Sequence, residues 1–436
     1  MPQRARCYFD RVGTVAVLFS VVVLGFAAVS RGLGRAMLTA PITFVIVGAV
    51  ASLFLGAPSL ELTLQIRVAA ELGLALVLFH DAARVRPRQI AGDLGLLLRV
   101  LLIAVPVSVG LGYALAVWLF PDAPVMVALL LATALAPTDA GLGSAMMSNQ
   151  AVPVRIRRLL NLESGFNDGL VTPVVLFAIA AIEGAQLHVA VSLGHALLEL
   201  GGGILVGVAV GVLGGLLLSW SRNRNLSTPH TRALGVLGIP ILAYFLAAVV
   251  GAEPFISVFV AGLGFAGSTA WTEEESSSLG LTEALSEPLG MAVWLVFGLA
   301  ATPFMLTRIG WPEIGFALLS LVVVRPLALG LSLLGTHLRW QSVAFVGWFG
   351  PRGLVTIIFV LLALESLEPV EIGRQVIATA ALTVLLSVLA HGLTAEPLAS
   401  RYGAWVTRVQ PEVELANAAE PQVRAPWRRP PTGAKP

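Results

Sequence analysis

The sequence predicts an all-α polytopic membrane protein with about thirteen transmembrane helices, and three observations carry that prediction. Hydrophobic residues make up 57% of the 436-residue chain and charged residues only 12%, against about 25% charged in soluble domains. The mean hydropathy is +0.88, so the lipid bilayer is the expected solvent and partner. The apolar residues fall in continuous Leu/Ala/Val-rich runs, long enough for helices that need roughly 20 apolar residues to span. A transmembrane β-barrel would instead show short alternating segments.

In chain order the apolar segments lie near 13–29, 40–56, 66–80, 94–120, 124–150, 157–183, 188–220, 231–250, 253–268, 283–305, 313–338, 341–364 and 373–397. The first could be a cleaved signal segment, but removing it would reverse every later loop, so it is read as a retained helix. Arg31, Arg35, Arg84, Arg86, Arg88, Arg155, Arg157, Arg158, Arg222, Arg224, Arg232 and Arg339 crowd one set of loops, together with the basic residues of the tail. That places the C-terminus in the cytoplasm and the N-terminus outside. The transmembrane domain is assigned to 1–400, and the Pro- and Ala-rich stretch 401–436 to a short disordered cytoplasmic tail. The net charge of +2 sits in these loops and reports topology, so no nucleic-acid partner is expected. Cys7 is the only cysteine, which excludes an intrachain disulfide and a cysteine metal site.

Thirteen segments suggest two inverted repeats of six helices around a linker, an architecture in which broken helices meet at the midplane. Breaks do fall in partner segments. The fifth contains Pro137-Thr138-Asp139-Ala140-Gly141-Leu142-Gly143, and the twelfth contains Gly350-Pro351-Arg352-Gly353. No residue-level identity between the halves stands out.

Ionisable residues at mid-membrane cost roughly 2.5–3.5 kcal/mol on insertion scales and mark functional sites by default. Asp139, Glu163, Asp168, Arg325 and Arg352 are placed there. Asp168 lies about eleven residues into its segment, or roughly 16 Å, half the depth of a ~30 Å hydrocarbon core. Ser164 and Asp168 share one helical face, and Glu163 and Asn167 the next. Gly165 and Gly169 permit close approach of another backbone. The break near Thr138 frees carbonyl oxygens, so carboxylate, hydroxyl, amide and carbonyl oxygens together suit a small hard cation. Glu163 and Arg325 are read as a structural ion pair. Arg352 is read as a cation stabilising the broken helix ends. His80-Asp81, closing the third segment, is an interfacial pair or lines an access funnel. His195 and His391 fall into no pattern. HExxH and GxSxG motifs are absent from the sequence, so the reading is a secondary transporter without cofactor, not an enzyme.

Thr138-Asp139 in a broken fifth helix, Glu163-Ser164-x-x-Asn167-Asp168, Arg325-Pro326 and Gly350-Pro351-Arg352-Gly353, in that order, resemble the sodium/proton antiporters of the monovalent cation:proton antiporter superfamily, in their electroneutral Asn-Asp form. The resemblance spans about 13–400. It implies a homodimer in the plasma membrane, with two broken helices crossing at the ion site. Asp168 would bind either the cation or the proton, with Ser164 and Thr138 as co-ligands of Na⁺ or K⁺ and with Asn167 and Asp139 beside them. Two departures stand out. The usual Thr-Asp-Pro appears as Pro137-Thr138-Asp139-Ala140, and a glutamate common at the end of the third helix is replaced by His80-Asp81. The competing functions are a sodium-coupled solute symporter, for which no further polar cluster is evident, and a non-transporting scaffold or sensor.

Overall fold

The computed structural model describes residues 2–35, 39–55, 60–84, 93–139, 142, 146–147, 149–186, 193–269, 273–367, 370 and 372–416. The described residues are almost entirely helical. The helices are α1 (Pro2–Arg35), α2 (Ala40–Leu55), α3 (Leu60–Ala83), α4 (Leu94–Leu119), α5 (Val125–Ala134), α6 (Val154–Gln186), α7 (Leu193–Asn223), α8 (Pro229–Val249), α9 (Pro254–Ser268), α10 (Glu273–Arg308), α11 (Trp311–Ser332), α12 (Trp340–Trp348), α13 (Leu354–Leu367) and α14 (Gly373–Val409). With α12 and α13 as halves of one broken segment, these follow the thirteen apolar runs one for one. Among the described residues, eight helices are long and apolar enough to cross a membrane, and α2, α5, α9 and most of α13 form shorter apolar helices.

The helices pack as two groups. In one, α2, α3, α7, α8, α9 and α10 lie against each other; in the other, α4, α5, α6 and α11–α14 do. Close packing in the first group depends on small residues. Gly262 on α9 lies so near the backbone of α3 that a Cβ there would stand 2.6 Å from the Phe79 carbonyl oxygen. In a bilayer, association relies on such close approach because lipid tails are as apolar as leucine.

The repeat expected from the sequence has a local signature. Both α4 and α11 contain a single π-helical turn, at Val100–Ala104 and Ser320–Val324. Each turn ends immediately before an X-Pro pair, Val105-Pro106 and Arg325-Pro326. Proline has no N–H and its ring clashes with the carbonyl four residues earlier, and a widened turn accommodates both defects. In α11 the residue that follows the widened turn is Arg325.

One boundary moves. The disordered tail was expected from residue 401, yet α14 continues to Val409 and the described residues run through 416. Tyr402 stacks on Phe345 with ring centroids 4.2 Å apart. Beyond a left-handed Gln410 (φ 48°), the buried Glu414 carboxylate accepts from the Arg339 N–H at 2.9 Å and the Ser342 hydroxyl at 2.7 Å. Glu414 thereby caps α12 from another segment. Arg86, Arg88 and residues 417–436 lie outside the described residues.

Candidate cation site at the crossing of two broken helices

The fifth segment breaks after α5, and residues 136–139 run without helix. The twelfth breaks between Trp348 and Leu354. Each break leaves helix-end carbonyls and N–H groups without intrahelical partners, which is costly away from water. The two breaks satisfy each other. Arg352 donates from Nη1 to the carbonyl oxygens of Ala136 and Pro137, the role expected for it at the negative end of a helix. In return, Asp139 Oδ2 accepts from the Leu354 N–H at 2.7 Å and Oδ1 from the Leu142 N–H at 3.2 Å. The Asp139 N–H donates to the Pro351 carbonyl at 2.8 Å. Gly353 makes room for this: a Cβ there would overlap the Asp139 carboxylate. Of Ala140–Gly143, only Leu142 lies among the described residues.

Thr138 sits at the crossing and faces α6. Its hydroxyl is 2.9 Å from Ser164 Oγ and accepts from Asn167 Nδ2 at 2.8 Å. Thr138, Ser164, Asn167 and Asp168 are all buried. Asn167 Oδ1 is buried and accepts no hydrogen bond. A buried carbonyl oxygen without a donor is expensive, and a cation would satisfy it. Glu163 and Arg325 form the bidentate pair expected from the sequence, through Nη1–Oε1 and through Nη2–Oε2 at 2.8 Å. The ion-pair reading of Glu163 and Arg325 and the capping reading of Arg352 therefore both match the geometry. Asp139, expected among the ion-binding residues, uses both carboxylate oxygens as helix caps.

The surroundings place α6 between the two helix groups. A Cβ at Gly169 would stand 2.7 Å from the Phe259 ring of α9, whereas one at Gly165 would make ordinary contact with Asp81 Cβ at 3.6 Å. Of the two glycines expected to allow close approach, Gly169 is the one that packing requires. His80 is buried, with Nε2 3.8 Å from Glu283 on α10. Glu283 is also bonded by Arg84 at 2.8 Å. His80 thus joins Arg84 and Glu283 in an interhelical cluster, and Asp81 is half-buried beside Gly165. No cluster of metal-ligating His, Cys, Asp and Glu side chains occurs among the described residues.

The sequence profile of the sodium/hydrogen exchanger transmembrane family matches residues 15–401. The chain belongs to this family. The K(+)/H(+) antiporter NhaP2 of Shewanella oneidensis is 28% identical over 328 residues, covering 73% of this chain and 54% of that protein. The Na(+)/H(+) antiporter of Schizosaccharomyces pombe is 27% identical over 284 residues, covering 62% of this chain and 60% of its own. The chain thus spans little more than half the length of these curated relatives. The fold is shared with the sodium proton antiporter MjNhaP1 from Methanocaldococcus jannaschii, with a TM-score of 0.74 at 18% identity over 88% of this chain and 99% of that one.

Sequence reading missed two parts of this architecture. Ser387 and His391 on α14 grip the broken twelfth segment, and their spacing of four residues was the available signal. Glu414 caps α12; the aromatic pair Tyr402 and Trp405 hinted that the helix continued beyond residue 401.

Proposed function

We propose that the protein exchanges a monovalent cation for a proton across the plasma membrane, with Na⁺ the first cation and K⁺ its competitor. The observation that carries this reading is the buried cluster of Asp168, Ser164, Thr138 and Asn167, with Asn167 Oδ1 accepting no hydrogen bond. Asp168 holds either the proton or the cation, Ser164 and Thr138 supply co-ligand oxygens, and Asp139 serves as a cap that positions Thr138.

Charge counting supports one-for-one exchange. Five buried ionisable side chains lie on the two broken segments, α6 and α11: Asp139, Glu163, Asp168, Arg325 and Arg352. Three carboxylates meet two guanidinium groups, so the ionised set carries one surplus negative charge. One proton or one monovalent cation neutralises it. Moving the empty, charged form through a low-dielectric barrier is expensive, while either loaded form is close to neutral. Loaded forms cross and the empty form does not, which couples the two fluxes.

The reading includes a homodimer and a cytoplasmic C-terminus. The decisive test is the KM for Na⁺ in proteoliposomes across several pH values. Competition at one carboxylate makes apparent KM rise about tenfold per unit as pH falls through the acid limb, by mass action at a shared site. A KM that stays flat there would mean separate sites. Rates compared at opposite clamped potentials test stoichiometry, and a strong voltage dependence would rule out the one-for-one exchange.

A further inference from the structure

In a continuous α-helix the Arg352 N–H would donate to the carbonyl of Trp348, four residues earlier. The break between α12 and α13 abolishes that bond. Two side chains of α14 stand in the gap. The Arg352 N–H donates to Ser387 Oγ at 2.6 Å. Ser387 Oγ lies 3.2 Å from His391 Nδ1, and His391 Nε2 lies 2.8 Å from the Trp348 carbonyl oxygen. That carbonyl gives its other lone pair to the Gly350 N–H at 2.8 Å. Ser387, Arg352 and His391 are all buried.

The direction of this chain follows from where the His391 proton sits. A neutral imidazole has one N–H donor and one lone-pair acceptor. With the proton on Nε2, Arg352 N–H donates to the serine oxygen, the serine hydroxyl donates to Nδ1, and Nε2–H donates to the Trp348 carbonyl. Each of these three contacts then has one donor and one acceptor, while the Ser387 carbonyl receives no proton from the ring. Nδ1 also lies 2.8 Å from the Ser387 carbonyl, the contact that the other tautomer would use. That tautomer leaves the Trp348 carbonyl without a donor from the ring and turns Nδ1 into a competitor of the hydroxyl. Thr394, one turn further along the same face of α14, accepts from Trp348 Nε1 at 3.0 Å. The His391 ring packs on the Trp348 indole with centroids 5.1 Å apart.

We infer that Ser387 and His391 are positioning residues for cation binding: a two-side-chain relay replaces the helical hydrogen bond from residue 352 to residue 348 and holds the twelfth segment open. The inference rests on the exchange reading above. The relay fixes the Arg352 backbone, the Arg352 guanidinium fixes the Ala136 and Pro137 carbonyls, and the next residue, Thr138, presents its hydroxyl to Ser164 and Asn167. Loss of the relay therefore acts on cation affinity and leaves the exchanging carboxylate in place.

The test uses the full chain, with Ser387→Ala, Ser387→Thr, His391→Ala and the double variant Ser387→Ala/His391→Ala. Two quantities are measured: amide hydrogen exchange in the peptide containing Arg352, and Na⁺-driven proton flux in proteoliposomes at one fixed pH. Ser387→Ala is expected to speed exchange of the Arg352 amide about tenfold and to raise KM for Na⁺ about fivefold, the size of one lost buried hydrogen bond, with kcat little changed. Ser387→Thr keeps the hydroxyl and restores both. Because the relay acts as one unit, the double variant is no worse than the worse single variant. Unchanged amide protection in Ser387→Ala overturns the inference, as does a fall in kcat at constant KM or losses that add in the double variant. Absence of flux in the unmodified protein would sink the exchange reading instead, and the amide measurement would still judge the relay.

Discussion

Separating Glu163 from Arg325 is the most direct physical perturbation of this core. Glu163 is 0% exposed and Arg325 3%, so neither charge can recruit water when its partner is removed. The guanidinium meets the carboxylate as a fork, with Nη1 to Oε1 and Nη2 to Oε2, the geometry in which charge-assisted bonds are strongest. Breaking a buried pair from one side costs roughly 3–5 kcal/mol, whereas replacing both partners can be nearly neutral. Arg325→Leu strands a carboxylate in the apolar interior, and also withdraws the guanidinium that lies against Gly350, where a Cβ would stand 2.8 Å from Arg325 Cζ. Its loss should approach the upper end of that range. Glu163→Gln keeps one acceptor oxygen for the guanidinium and should cost less. The combined variant Glu163→Gln/Arg325→Leu should recover more than half of the summed loss. Thermal unfolding of purified protein in detergent, read by intrinsic fluorescence and by the monodisperse fraction after heating, gives all three values. Losses that add to within about 0.5 kcal/mol, as for independent sites, would refute an energetically coupled pair.

Three further outcomes are expected. Asp168→Asn should abolish cation-driven proton flux in vesicles while the protein still inserts and purifies; normal flux would remove Asp168 from the exchange. Gly353→Ala should lower thermal stability by roughly 1–3 kcal/mol, the usual cost of overpacking, and reduce flux, because the new methyl overlaps the Asp139 carboxylate that caps Leu354; unchanged melting would show that the crossing tolerates a Cβ. In the turn between α8 and α9, burial pushes the Glu253 carboxyl up from 4.5 to about 7, with Glu199 adding to the shift and the Ile256 N–H opposing it. The folded state then holds a proton that the unfolded state releases, so this contribution to stability is full below pH 4.5 and is lost as pH rises to about 7. Glu253→Gln should flatten melting temperature against pH across that window, and an unaltered slope would place the titrating group elsewhere.

How much of this was legible in the sequence follows from which forces write themselves locally. The segments were legible because a spanning helix must be apolar along its whole length, and all thirteen runs reappear. Glu163, Arg325 and Arg352 were legible because a charge at mid-membrane needs a stated reason, and the reasons assigned, pairing and capping, match the hydrogen bonds. The role of Asp139 was not. Depth alone groups it with Asp168, and only the crossing shows that its oxygens are engaged by the N–H groups of Leu354 and Leu142. His391 and Ser387 escaped because the groups they meet, the Trp348 carbonyl and the Arg352 N–H, lie about forty residues away on another broken segment, where no periodicity points to them. The start of the tail was misplaced because composition averages over a window, whereas the chain through 416 is held by single contacts at Tyr402 and Glu414.

The crossing also explains why the two breaks carry unlike side chains. Aligning Pro137 with Pro351 sets Thr138 opposite Arg352 and Asp139 opposite Gly353. Both breaks expose the same backbone groups, so symmetry alone would ask for the same side chains. Two arginines would crowd like charges at the midplane, and two aspartates would do the same. Unlike residues solve the problem: arginine on one side takes the freed carbonyls of the other, aspartate takes the freed N–H groups, and glycine opposite the aspartate leaves it space. The position opposite Arg352 is then released from capping, and it is Thr138 that fills it, with its hydroxyl turned to Ser164 and Asn167. The two breaks carry unlike side chains at aligned positions, and that asymmetry sets a hydroxyl beside the helix that bears Asp168.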